Sequence, residues 1–298
     1  MVDFTFLGQT VLNGLSVGCI YGLIGIGFCV IYNASGIVNF AQGAFVMLGG
    51  MLTYILLSWN VPFILAAILA TMVVALVGVI IERIVVRPLW DRKATMFVMI
   101  LATLAVQIVI ERATLLIVGD QPKSIPVFTD LPPMRLLGVA LSYQTLWIFG
   151  TSLILIVSLA TFFKRTLVGR AMRACAINRE AAALQGIKVS QMLALSFALS
   201  AALGAIAGIL VTPTQFTAFN VGTPFAISGF IAAISGFIAA IVGGFGRPFG
   251  AFLGGLTLGL AQALAVFSLG SGLKNVAALS VLLIFLFLRP SGILGSAK

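Results

Sequence analysis

Runs of about twenty mostly apolar residues, the length an α-helix needs to cross the hydrocarbon core of a bilayer, recur along the whole of this chain. No other feature narrows the possible folds as far. A soluble domain carries about 25% charged residues, whereas here 8% are charged and 61% hydrophobic over 298 residues. That is too few charges to cover a surface in water, so the surface is expected to face lipid. The chain reads as an all-α polytopic membrane protein with eight to nine transmembrane helices.

The expected spans are 7–32, 37–57, 62–82, 95–118, 143–163, 191–212, 225–243, 250–268 and 276–288. The eight-span alternative makes one glycine-rich segment re-entrant. All ten prolines fall at the ends of these segments or between them, as expected of a residue that breaks helical hydrogen bonding. The first residues lack the basic stretch of a cleaved leader, so the first apolar run is expected to stay as a span.

Charge sets the orientation. Lys and Arg accumulate on the cytoplasmic side, and the segment 164–190 holds six: Lys164, Arg165, Arg170, Arg173, Arg179 and Lys188. Placing it inside also puts Arg83, Arg87, Arg92, Lys93, Arg247, Arg289 and Lys298 inside, against Lys123, Arg135 and Lys274 outside. The N-terminus is then outside and the C-terminus cytoplasmic. The same bias accounts for the net charge of +10 without any nucleic acid.

Much chemistry is excluded by composition. There is no histidine and no phosphate-binding loop, and Cys19, Cys29 and Cys175 have no metal-ligand spacing. No cofactor, metal or catalytic set is expected.

Polar residues interrupt the apolar pattern in few places. In GFCVIYNASGIVNFAQGAFVMLGG (27–50), Asn33–Gly36 reads as a tight cytoplasmic turn. Asn39 and Gln42 either line a solute path or bridge helices, since irregular backbone at membrane depth needs protein or a cavity around it. Glu111 and Arg112 sit in the fourth span, where they either snorkel to the outer interface or join the path. The tandem SGFIAAI copies at 228–234 and 235–241, and the glycines 250, 254 and 255 on one helix face, point to close helix packing. The loop 119–142 reads as short and irregular.

The middle of 164–190 reads as one short amphipathic helix, with Ala174, Ile177, Ala181 and Leu184 on an apolar stripe. It contains E-A-A-x-x-x-G, from Glu180 through Ala181 and Ala182 to Gly186, a flat helical face closed by a glycine stop. Such a surface suits docking by another protein; the alternative is simple anchoring of its arginines to membrane lipid.

The sequence resembles the permease subunits of ABC importers for branched-chain amino acids, the LivH-like family. The resemblance is carried by NGLSVGCIYGLIGIGFCVIYNASGIVNFAQGAFVMLGG (13–50), GRAMRACAINREAAALQGI (169–187), AIVGGFGRPFGAFLGGLTLG (240–259) and LRPSGILG (288–295). It implies that residues 1–298 form a single transmembrane permease domain in a bacterial inner membrane. Gly169, Arg170, Arg173, Glu180, Ala181, Ala182 and Gly186 would couple it to two ATPase subunits. A homologous second permease subunit and a periplasmic solute-binding protein would complete the importer, and Asn39, Gln42 and Glu111 are the candidates for the solute path. One departure stands out: where relatives often read N-F-A-H-G, this chain reads Asn39-Phe40-Ala41-Gln42-Gly43. The solute class implied is branched-chain or related amino acids, with urea or short-chain amides as alternatives. An ion-coupled carrier or channel acting alone is a rival of another kind, and copurification of ATPase subunits separates the two.

Overall fold

The computed structural model describes residues 4–136, 138–217, 229–244, 247–288 and 292–293. Twelve helices are present among them: α1 (Phe4–Ser35), α2 (Gln42–Ser58), α3 (Phe63–Ile81), α4 (Arg87–Asp91), α5 (Met96–Val118), α6 (Tyr143–Arg165), α7 (Leu167–Ile177), α8 (Arg179–Leu184), α9 (Val189–Gln215), α10 (Gly229–Gly243), α11 (Pro248–Leu269) and α12 (Lys274–Leu288). Six helical runs are long and apolar enough to cross a membrane, and three shorter apolar helices lie at 42–58, 234–243 and 276–288. Each expected span thus coincides with an apolar helix. The start of the seventh span, Ser228 of the repeat, Pro224, Pro290, Arg289 and Lys298 lie outside the described residues.

α1 is the axis. It is buried along most of its length and packs on α11 and α10 on one side and on α9 on the other. α2 and α3 pack against α9. The outer helices α3, α5 and α6 turn aliphatic side chains such as Ile64, Met72, Ile108, Leu116, Leu153 and Ile154 outward, the surface lipid requires.

Close approach explains the glycines. A Cβ on Gly18 would lie 2.9 Å from the carbonyl oxygen of Gly255, and one on Gly255 would run into the backbone nitrogen of Gly22. Gly259 meets Gly14 and Gly18 in the same way. The expected single glycine face of α11 is in fact two faces. Gly250 and Gly254 lie against Gly243 and Ala239 of α10, while Gly255 lies against α1. One residue is a 100° rotation, enough to change neighbours. The second copy of the tandem repeat packs as expected: Gly236 sits against Ile24 and Gly25 of α1.

Other expectations need correction. Two prolines stand inside helical runs. Pro213 lies two residues before the end of α9, so the one bond its missing N–H forfeits is among the last of the helix. Pro88 opens α4, directly after a π-helical turn at Glu82–Val86, so 63–91 is one continuous helical run and the third span does not end at 82. The π turn shifts the bonding register just before the residue that has no N–H to donate. The loop 119–142 is not wholly irregular. It contains an antiparallel hairpin of β1 (Met134–Leu136) and β2 (Val139–Leu141), tied to α1 by Ala140 N–H donating to Gln9 Oε1 at 3.0 Å.

Candidate functional site

The first region of interest is the break between α1 and α2. α1 closes at Ser35, whose Oγ accepts from Ile37 N–H, and Gly36 takes a left-handed φ of +64°. Asn33, Ala34 and Ser35 therefore belong to α1 and the turn is the connection 36–41, in which Ile37, Val38, Asn39 and Ala41 are all buried. Polar groups there must find partners within the protein. Asn39 Oδ1 accepts from Ala41 N–H at 3.2 Å, while its Nδ2 is buried with no partner. Gln42 is fully buried; its Nε2 donates to the Ser200 carbonyl at 3.1 Å, and its Oε1 lies 2.6 Å from Ser200 Oγ. Ser200 Oγ also lies 2.8 Å from the Gly27 carbonyl. Gln42 thus bridges α1, α2 and α9.

The second element is a polar face on α5. Thr103, Gln107 and Glu111 follow at four-residue spacing, so they share one side of the helix. Thr103 Oγ1 accepts from Phe40 N–H at 3.2 Å, which ties α5 to the break. One turn on, Gln107 Nε2 donates to Glu111 Oε1 at 2.8 Å, and Gln107 Oε1 is buried without a partner. Glu111 is half-buried on this inward face and Arg112 is exposed. Glu111 stands two turns, roughly 12 Å, along α5 from the threonine that meets the break. The structure joins Asn39 and Gln42 in one segment and places Glu111 at the other end of a polar face reaching toward it. Thr103 and Gln107 went unremarked in the sequence, although their helical spacing from Glu111 was a usable signal.

The third element is the basic segment. It forms two helices where one was expected. Asn178 is extended (φ −153°, ψ 110°), and its Oδ1 accepts from Ala181 N–H at 3.0 Å, capping α8. An N-capping side chain followed by Arg-Glu-Ala-Ala restarts the helix, so the stripe through Ala174, Ile177, Ala181 and Leu184 is interrupted. Thr166 caps α7 by accepting from Gly169 N–H at 2.9 Å. The glycine stop is present: Gly186 has φ +81°, its N–H donates to Ala183 O, and Ile187 N–H donates to Ala182 O.

One side of this segment docks on its own protein. Gly169 lies against Phe162 and Phe163 at the end of α6, and Met172, Cys175 and Ala182 are buried. Arg179 stacks on Trp90 of α4, 4.5 Å from guanidinium carbon to ring centroid, with its Nη2 beside Gly36. Partial burial lowers the pKa of Arg179, yet a guanidinium remains charged in a protein. Burial also raises the Cys175 thiol above its ordinary value of 9.0, against the opposing pull of Arg179. At the far end, Arg87 holds the fully buried Glu82 through two 2.9 Å contacts and donates to the Ser190 carbonyl at 3.3 Å. Five residues place side chains about 140° apart on an α-helix; the π turn closes that separation. The sequence offered no signal for this pair.

The other side is bare. Arg170, Glu180, Ala181 and Gly186 are exposed, and Ile177 and Leu184 are 88% and 87% exposed. Of the candidate coupling residues, Gly169 and Ala182 hold the segment to its own body and the other five are exposed, Arg173 at the rim of a half-open cavity.

Comparison with known proteins matches this architecture. The family described as the branched-chain amino acid transport system permease component matches residues 10–288. The high-affinity branched-chain amino acid transport system permease protein BraD of Pseudomonas aeruginosa is 35% identical, over 96% of this chain and 95% of its own. LivH of Salmonella typhimurium, a permease protein of the same description, is 29% identical over 98% of this chain and 97% of its own. Among solved structures, PsaBC from Streptococcus pneumoniae in complex with Fab shares the fold at a TM-score of 0.50 and 13% identity, covering 97% of this chain and 94% of that one. A family match over nearly the whole length and a relative above 30% identity lead to one conclusion: this chain belongs to the branched-chain amino acid transport system permease family.

Proposed function

We propose that this chain is the membrane-spanning subunit of a bacterial inner-membrane ABC importer for branched-chain amino acids. It performs no chemistry of its own and is driven by two separate ATPase subunits. It works beside a homologous second permease subunit and receives solute from a periplasmic binding protein. In this reading nine helices cross the membrane, the N-terminus lies outside, and α7–α8 lie in the cytosol. The observation that carries the coupling role is the two-sidedness of α7–α8: one side clasped by its own protein, the other bare with Ile177, Leu184 and Glu180 outward. Covering an aliphatic side chain of that size contributes about 1.5–3 kcal/mol, so a partner gains most by landing there.

Force on α8 has a short route inward. Arg179 touches Gly36 at the end of α1, and Arg87 links the start of α9 to the π turn. Both lead to the break at 36–41. There Asn39, with its unpaired amide, and Glu111 with Gln107 beyond it, form the wall offered to the solute; Gln42 holds that wall in place.

The test is reconstitution with the cognate ATPases. Ile177→Asp and Glu180→Arg should each lower ATPase copurification and leucine uptake by about tenfold, the equivalent of 1.4 kcal/mol, at unchanged amounts of inserted protein. Full copurification of both variants would remove α7–α8 from the coupling interface. Uptake of leucine without any ATPase subunit would sink the whole reading.

A further inference from the structure

A cavity of about 440 Å³ lies between the second half of α1, the last third of α6, the middle of α7 and the first turn of α11. That volume falls within the range of roughly 300–1,000 Å³ typical of sites for small organic ligands. Its walls are mostly apolar, with Ile26 and Val30 from α1 and Leu159 and Phe163 from α6. Two guanidiniums border it, Arg173 from α7 and Arg247 from the residue preceding α11, and no carboxylate is among the residues that line it. Arg247 also stands at the start of a 22-residue helix, so the positive end of that helix adds to the same field.

We propose that this cavity binds an anionic phospholipid, its phosphate held by Arg173 and Arg247 and one acyl chain laid along α6 beside Phe249. Charge fixes the headgroup: planar guanidiniums match phosphate oxygens in bidentate fashion, and basic pockets between spans suit acidic headgroups. The walls fix the rest. A free anion would leave the apolar surface of Ile156, Phe163 and Phe249 uncovered. The neighbouring face of α6 presents Leu153, Ile154 and Val157 outward, each more than half exposed, so the apolar wall of the cavity adjoins an apolar outer surface. Bound there, the lipid links α7 to the foot of α11.

The test uses the protein purified in detergent with its partner subunits and follows its thermal unfolding. Dioctanoyl phosphatidylglycerol should raise the midpoint by about 2 °C or more, and dioctanoyl phosphatidylcholine should not. The double variant Arg173→Gln/Arg247→Gln should lose the rise. Should that variant fail to fold, Leu159→Trp, which fills the cavity without altering charge, should lose it equally. A rise that phosphatidylcholine reproduces, that both variants keep, or that inorganic phosphate or leucine gives alone would overturn the proposal.

Discussion

The two sides of α1 are held by different physics. Toward α11 the contact is largely backbone on backbone: Gly18 and Gly22 meet Gly255, and Gly14 and Gly18 meet Gly259, with Phe252 beside Gly22 and Ala263 beside Gly14. Toward α2 and α9 it is a polar clasp of Gly27, Gln42 and Ser200. The glycine seam is fixed at its centre, because a Cβ on Gly18, Gly255 or Gly259 collides with main chain. The clasp has two arrangements. Ser200 has a single hydroxyl proton, and two acceptors lie within reach, the Gly27 carbonyl at 2.8 Å and Gln42 Oε1 at 2.6 Å. A hydroxyl can serve one at a time. A transporter needs one part that keeps its shape and another that rearranges at small cost, and α1 carries both on opposite faces.

Breaking the seam should have the largest effect. Gly255→Leu drives a side chain into the backbone of Gly22 and Gly18. Overpacking a core costs about 1–3 kcal/mol when side chains can shift; main chain cannot, so the loss should exceed that range and abolish folded protein in size-exclusion chromatography. Gly150→Leu on α6, where nothing lies within 4 Å, should leave the yield unchanged. If Gly255→Leu folds normally, the seam is not the rigid half.

The clasp predicts a smaller and asymmetric pattern. Ser200→Ala leaves Gln42 Oε1 buried without a donor, a loss of about 1–3 kcal/mol, seen as a lowered unfolding midpoint. Gln42→Leu keeps the volume and frees the hydroxyl to serve Gly27, so it should cost less than Ser200→Ala. The double variant should resemble Gln42→Leu. Because Gln42→Leu perturbs assembly least, it is also the variant in which a changed uptake profile across amino acids, urea and amides would report on the solute path.

Much of this was legible in the sequence, and physical chemistry says which part. Spans are readable because hydrocarbon demands long apolar helices, and every expected span met one. Gly186 as a helix stop is local, set by one residue's φ, and was readable too. Asn178 was equally local, but the apolar spacing of Ala174, Ile177, Ala181 and Leu184 masked it. The partners of Gln42 were out of reach, since Ser200 lies 158 residues away. Glu82 and Arg87 were hidden because their meeting depends on a π turn that no pattern announces. The packing faces of α11 were half legible: glycine composition announced close contact, while its direction depended on which neighbour each rotation met.

The basic segment tests whether the contrast extends beyond α1. Its anchors are of both kinds: Gly169 sits backbone-close on Phe162, while Arg179 stacks on Trp90, a contact worth about 0.5–1 kcal/mol. Cys175, the one cysteine in this segment, is buried between them with its thiol pKa raised, so aqueous maleimide should label it slowly at pH 7. Arg179→Ala removes the stacking and should increase the undocked fraction, and hence the labelling rate, about two- to fivefold. The sign is diagnostic. Arg179 pulls the thiol pKa down, so its removal alone would reduce the thiolate and slow the reaction. Faster labelling therefore requires that α7 and α8 open more often. An unchanged or slower rate would mean that the glycine contact holds the segment as firmly as the seam holds α11, and that the adjustable part of the molecule is confined to the clasp.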